Sequence, residues 1–175
     1  MFFRRRGCIL LLFIIVSSCQ RGGYDDVAGW HEATKERILE QSELVADSIS
    51  ERTDMLTNEL VRSYYYNGHL FRKEIVGKTG VVAYMVRYAN DSNFSYCTEY
   101  CSHGYKIYEG IDYKHKPYGI ATWYDCETGK ITEQGVRYKF RKVGLWKMYD
   151  RNGNPVRGIV YDKEVKLKSY PRLKE

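Results

Sequence analysis

The chain has 175 residues, with 28 Lys and Arg against 22 Asp and Glu, and carries a formal net charge of +6. Three of the basic residues and none of the acidic ones fall in the first 18, so without that segment the net charge drops to +3. What remains after an N-terminal leader and one helix is on the order of 110 residues, enough for one small core and too few for two.

Residues 1–18 read as a secretory leader: Arg4, Arg5 and Arg6 precede the apolar run from Ile9 to Val16, which is too short to span a bilayer as a helix of about 20 residues. The run ends in Val16-Ser17-Ser18-Cys19, which resembles the lipobox of bacterial lipoproteins. That resemblance implies acylation of Cys19, a lipid-anchored place in the cell envelope at the outer membrane, and residues 19–29 as a tether. Its Gly22, Gly23 and Gly29 suit a flexible linker.

Residues 30–63 carry Ile38, Val45, Ile49, Leu56 and Leu60 at spacings of 7, 4, 7 and 4, with no Gly or Pro, and predict one long amphipathic helix. Its narrow stripe is expected to pack on a sheet or on a second copy of the chain, giving a homo-oligomer through the helix. The polar face is acidic: residues 20–63 hold five Lys and Arg against ten Asp and Glu. A membrane-surface helix would instead carry Lys and Arg there.

Beyond residue 63 lie 16 of the 17 tyrosines, and the pattern becomes that of strands over residues 64–165. Gly110-Ile111-Asp112-Tyr113-Lys114 returns as Gly135-Val136-Arg137-Tyr138-Lys139, and Gly119-Ile120-Ala121-Thr122-Trp123-Tyr124-Asp125 answers to Gly144-Leu145-Trp146-Lys147-Met148-Tyr149-Asp150, both at an interval of 25 residues. A third copy begins at Gly158. Such a period marks a repeat architecture, and alternation within each unit makes the units β-hairpins. Ile111, Tyr113 and His115 should share one face, as should Val136, Tyr138 and Phe140, with Trp123 and Met148 together on a buried face. Glycines 68, 104, 129 and 153 are expected to close four equivalent turns. The fold class is therefore mainly β, an antiparallel meander of eight to ten strands preceded by one long helix, with residues 166–175 as a loose tail.

The Tyr108-Glu109-Gly110 start, the G-[IV]-x-Y-K strand and the Gly144-x-Trp146-x-x-Tyr149-Asp150-x-x-Gly153 half resemble a MORN repeat, and more narrowly the bacterial MORN variant of toxin-antitoxin and immunity proteins. The family's Gly-Lys turn between the two strands is absent: Lys114-His115 and Lys139-Phe140 stand there. The resemblance implies a non-catalytic protein-binding module that masks a toxin or effector.

Three cysteines remain once Cys8 and Cys19 are assigned to the leader and the lipid: Cys97, Cys101 and Cys126. Cys97 and Cys101 lie about 13 Å apart on an extended strand, beyond the reach of a disulfide. Either one of them joins Cys126 or all three stay reduced. A zinc site from Cys97, Cys101, His103, His115 and Cys126 has suitable ligand types, but C-x3-C-x-H is not a finger spacing and no second pair completes it. No metal or cofactor is therefore expected. No G-x-S-x-G elbow, phosphate loop or H-E-x-x-H motif occurs, so the chain is not read as an enzyme.

Residues 137–175 hold twelve Lys and Arg against four Asp and Glu. The partner-binding residues expected from the outward face of the repeats are Lys114, Arg137, Lys139, Lys147 and Tyr149, offered to a protein partner. The alternative is a structural envelope lipoprotein whose basic C-terminal region holds anionic lipid headgroups or other polyanions. Nucleic acid is disfavoured by the envelope location.

Overall fold

A computed structural model of the chain describes residues 22–90, 93–161 and 165–172, with side chains from residue 26 onward. The leader, the lipobox with Cys19 and the first residues of the tether lie outside it. One helix, α1 (Gly22–Ser42), precedes ten strands: β1 (Ser48–Thr53), β2 (Leu60–Tyr66), β3 (His69–Val76), β4 (Val82–Tyr88), β5 (Phe94–Tyr100), β6 (Lys106–Tyr113), β7 (Lys116–Tyr124), β8 (Ile131–Tyr138), β9 (Arg141–Tyr149) and β10 (Pro155–Val160). The strands form one antiparallel sheet in sequence order, the meander the sequence predicts. Among the described residues no helix is long and apolar enough to cross a membrane.

The helix is shorter and starts earlier than expected. Its buried positions are Val27, His31, Thr34 and Ile38, a regular stripe at helical spacing. The thinner stripe that continued through Val45, Ile49 and Leu56 is solvent-exposed, at 84%, 58% and 97%. Residues 48–53 instead pair with β2, Ile49 opposite Tyr64. The turn that makes this hairpin is set by Asp54, whose Oδ1 accepts from the backbone N–H groups of Leu56 and Thr57, while Asn58 takes φ 56°. Asp125-x-x-Thr128-Gly129 repeats this turn: Asp125 Oδ1 accepts from Glu127 and Thr128 N–H, and Gly129 has φ 66°.

The 25-residue period has two causes in the backbone. Between β6 and β7 the register jumps from Glu109–Thr122 to Ile111–Tyr118, and between β8 and β9 from Gln134–Lys147 to Val136–Val143. Both are β-bulges that hold Gly119 and Gly144 at φ 74° and 64°, a region that glycine enters without steric cost. Opposite each bulge the other repeated glycine makes room for an aromatic side chain. A Cβ on Gly135 would sit 2.3 Å from Cδ2 of Trp146, and one on Gly110 2.5 Å from the Tyr108 hydroxyl.

The closing turns follow a different phase from the one expected. The loops at residues 77–81, 101–105 and 150–154 share one hydrogen-bond pattern, first residue N–H to last residue carbonyl, with Gly80, Gly104 and Gly153 at φ 80°, 82° and 84°. Gly80, not Gly68, is thus the counterpart of Gly104. Gly68 belongs with Asn67 to a two-residue turn at the other end of the sheet, and Lys114-His115 makes the same turn with φ 50° and 60°. Such a turn ends the strand alternation. His115 and Phe140 therefore do not lie with Tyr113 and Tyr138, as alternation predicts, but border the opposite face.

α1 packs on one face of the sheet. Val27 joins Tyr118, Val136, Val143 and Tyr170, while Ile38 joins Ala89, Phe94, Tyr96 and Ile111; Trp30 and Tyr113 pack against both groups. The helix approaches closely at the first bulge, where His31 Nδ1 accepts from the Ile120 N–H and a Cβ on Gly119 would lie 2.7 Å from the Trp30 ring. Burial pushes the His31 pKa down to about 4, so the ring is a neutral acceptor at neutral pH. Over the described residues 165–172 the C-terminal segment is not a loose tail: Tyr170 is 5% exposed, its ring 5.1 Å from that of Trp30, and Trp30 Nε1 donates to the Pro171 carbonyl.

On the same face Glu109 accepts from the hydroxyls of Tyr96 and Tyr124 and from Lys106 Nζ. Burial alone would raise its pKa, but these donors outweigh it and hold the carboxylate at about 2. A folded value below the ordinary 4.5 means that this contribution is complete above about pH 4.5 and is lost as pH falls toward 2. Glu109→Gln should therefore flatten the acid limb of stability in urea titrations between pH 5 and pH 2. An unchanged slope would show that the carboxylate is not held.

Candidate functional site

The helix-free face of the sheet carries the polar and aromatic groups that the core does not use. Cross-strand pairing sets Tyr84 opposite Glu99, Glu99 opposite Tyr108, Tyr108 opposite Trp123, Trp123 opposite Glu133 and Glu133 opposite Met148, one row across six strands. Side chains directly opposite each other on one face are in contact range, so the row runs ring, carboxylate, two adjacent rings, carboxylate and sulfur. Trp123 and Met148 share this face, as expected, but both are half-buried; the fully buried side chain is Trp146, at 0%.

Beside the row lies a groove of about 330 Å³ with Cys97, Asp112 and Arg137 among its lining residues. His115 and Phe140, from the two turns that reverse the expected facing, line it at one end. The Cys97 thiol is 3% exposed and burial, together with the neighbouring Asp112 charge, pushes its pKa up to about 12. It is thus a protonated thiol at neutral pH and a poor nucleophile. Burial also raises the carboxyl of Asp112, against the hydrogen bond from Cys97 and the charges of His115 and Arg137. The hydroxyls of Tyr84 and Tyr108 are raised by burial as well, which keeps them neutral donors.

Arg137 gives the groove its unsatisfied donor. Its guanidinium carbon is 5.4 Å from the Trp123 ring centroid, and its Nε is buried with no hydrogen-bond partner among the described residues. A buried donor left unpaired costs about 1–3 kcal/mol, which a ligand carboxylate or carbonyl would recover. The groove therefore offers aromatic walls, neutral hydroxyl donors and a guanidinium, the features of a recognition surface.

The five residues expected to form one binding patch are dispersed. Arg137 faces the groove. Lys114 and Lys139 are exposed at the tips of the two-residue turns, with Nζ atoms 5.4 and 5.5 Å from the rings of Tyr113 and Tyr138. Lys147 lies opposite Gln134, one residue out of phase with Met148, and so is on the face that carries α1; Tyr149 follows it there. Sequence reasoning missed Tyr84, Glu99, Tyr108 and Asp112. The alternation Tyr108-x-Gly110-x-Asp112 contained the signal, since it sets Tyr108 and Asp112 on the face opposite Ile111 and Tyr113.

Of the cysteines, Cys101 and Cys126 are joined as a disulfide, with Cα atoms 6.1 Å apart, linking the β5–β6 turn to the β7–β8 turn. Cys97 is separate, in the groove. His103 stands beside Cys126, its Nδ1 3.7 Å from Sγ. Compared with models of known protein families and with curated protein sequences, the chain matches none.

Proposed function

We propose that the chain is a membrane-tethered, non-catalytic protein-binding module, and that its partner occupies the groove on the helix-free face. The observation that carries this reading is the Arg137 Nε donor, buried without a hydrogen-bond partner among the described residues at the side of a cross-strand row of rings and carboxylates. The likeness of the hairpins to MORN repeats adds the role of an antitoxin or immunity-like lipoprotein that masks an effector, and the lipobox likeness adds the anchor at Cys19. Intact mass of the processed chain tests the anchor: an unmodified N-terminus rejects it.

The binding reading separates the two faces of the sheet. Arg137→Glu should weaken capture of the partner from envelope extract by about ten-fold or more, the scale of a hot-spot residue. Lys147→Glu, on the other face, should leave it within about two-fold, because a distant surface charge changes affinity little. Near-ultraviolet circular dichroism checks that both variants keep their packing. Equal recovery of every partner by Arg137→Glu and the unaltered chain removes the groove from the mechanism.

A further inference from the structure

We propose that Cys101, His103 and Cys126 form a zinc site that opens when their disulfide is reduced, so that a metal replaces the covalent link between the same two turns. The proposal stands on the geometry of the sheet end and is independent of the groove. The donor atoms of the three side chains lie within 4.8 Å of one another. A tetrahedral Zn²⁺ with bonds of about 2.3 Å to sulfur and about 2.0–2.1 Å to nitrogen sets sulfur and nitrogen about 3.6 Å apart, and two sulfurs about 3.8 Å apart. The observed separation of Cys126 Sγ and His103 Nδ1 is 3.7 Å. Once the bond between them is cut, the two sulfurs must move apart, and the Cys101 sulfur, no more than 4.8 Å from the His103 donor, must settle at the same distance from it as the Cys126 sulfur.

Both turns are held by their own hydrogen bonds and do not depend on the disulfide. Cys101 N–H donates to the Tyr105 carbonyl and Gly104 N–H to the Cys101 carbonyl, both at 2.9 Å, which places His103 at the apex. Cys126 follows Asp125, whose Oδ1 accepts from Glu127 and Thr128. Reduction therefore leaves the donors near one another. His103 is exposed and both cysteines are half-buried, so an ion reaches the site from solvent.

The chemistry balances with a dithiol as reductant. The dithiol cuts the sulfur–sulfur bond and becomes a disulfide itself, and two electrons and two protons pass to Cys101 and Cys126. Each thiol then gives up its proton as Zn²⁺ binds, and neutral His103 supplies the third bond. Two thiolates and an imidazole suit zinc, with the fourth position left to water. While the disulfide is intact the sulfurs hold no negative charge, and metal is excluded.

The test uses the full chain, reduced and freed of reductant without oxygen, then titrated with Zn²⁺, or with Co²⁺ as an absorbing substitute. Reduced wild type should take up one equivalent more than the oxidised chain, and one more than reduced Cys101→Ser/Cys126→Ser, which keeps Cys8, Cys19 and Cys97. His103→Ala, on an exposed turn, should weaken binding by about ten-fold or more, since even outer-shell groups of zinc sites are worth that much. Equal uptake by the reduced wild type and the double serine variant overturns the site. So does His103→Ala binding as tightly as wild type, or a reduced chain that loses its near-ultraviolet dichroism and does not regain it with zinc.

Discussion

Trp146→Ala should destabilise the protein by about 3–5 kcal/mol, the range for emptying the place of a large buried ring. The ring is fully buried, its centroid 5.5 Å from that of Trp123 and 6.1 Å from that of Tyr161, and Nε1 donates to the Val136 carbonyl at 3.1 Å. It rests directly on Gly135. Gly135→Ala should thus cost about 1–3 kcal/mol by overpacking, since the ring is pinned by its own hydrogen bond. In the Trp146→Ala background the same alanine meets open space and should cost much less. A double-mutant cycle in urea measures the coupling. Losses under 0.5 kcal/mol for Trp146→Ala, or a Gly135→Ala cost independent of residue 146, would show that the glycine is not repeated to seat the ring.

That pair explains why the meander was legible. Gly110 and Gly135, with Gly119 and Gly144, recur because the backbone has two places per hairpin where a Cβ is excluded, one under a ring and one in a bulge. Such constraints leave the same letter in each copy. Where another residue serves equally, the copy is hidden: Asn58 does the work of Gly129, and the Asp54 turn was absorbed into a supposed helix. Apolar spacing alone misled there, because Val45, Ile49 and Leu56 fit a helical stripe and yet face water. The true stripe, Val27 to Ile38, contains a histidine and a threonine at its buried positions, so hydrophobicity alone did not trace it.

The groove was less legible than the sheet for a related reason. Its members are brought together by register across β4 to β8, and between β6 and β7 that register shifts by two residues, from Glu109–Thr122 to Ile111–Tyr118. The two-residue turns add a change of face, moving His115 and Phe140 to the groove side. Charge was a poor guide to partner contacts for the same reason: Arg137 and Lys147 belong to opposite faces although both lie in the basic C-terminal third.

Cys126→Ser, or reduction of the wild-type chain in the absence of zinc, should lower stability by about 3–4 kcal/mol. The bridged residues are 25 apart, and closing a loop of that length in the unfolded chain removes entropy worth roughly that amount. The link spans two turns with the β6–β7 hairpin between them, so no single strand pairing does the same work. Cys101→Ser/Cys126→Ser should be no less stable than Cys126→Ser, because the second serine removes nothing further from the cross-link. Urea unfolding with and without a reducing agent gives both numbers. A midpoint that does not move on reduction would mean that the two sulfurs are not joined in the folded protein, while an equal loss in Cys97→Ser and wild type on reduction assigns the effect to the Cys101–Cys126 pair. With the bond intact, the end of the sheet farthest from the Lys114 and Lys139 turns is the fixed end, against which the strands that carry the groove are registered.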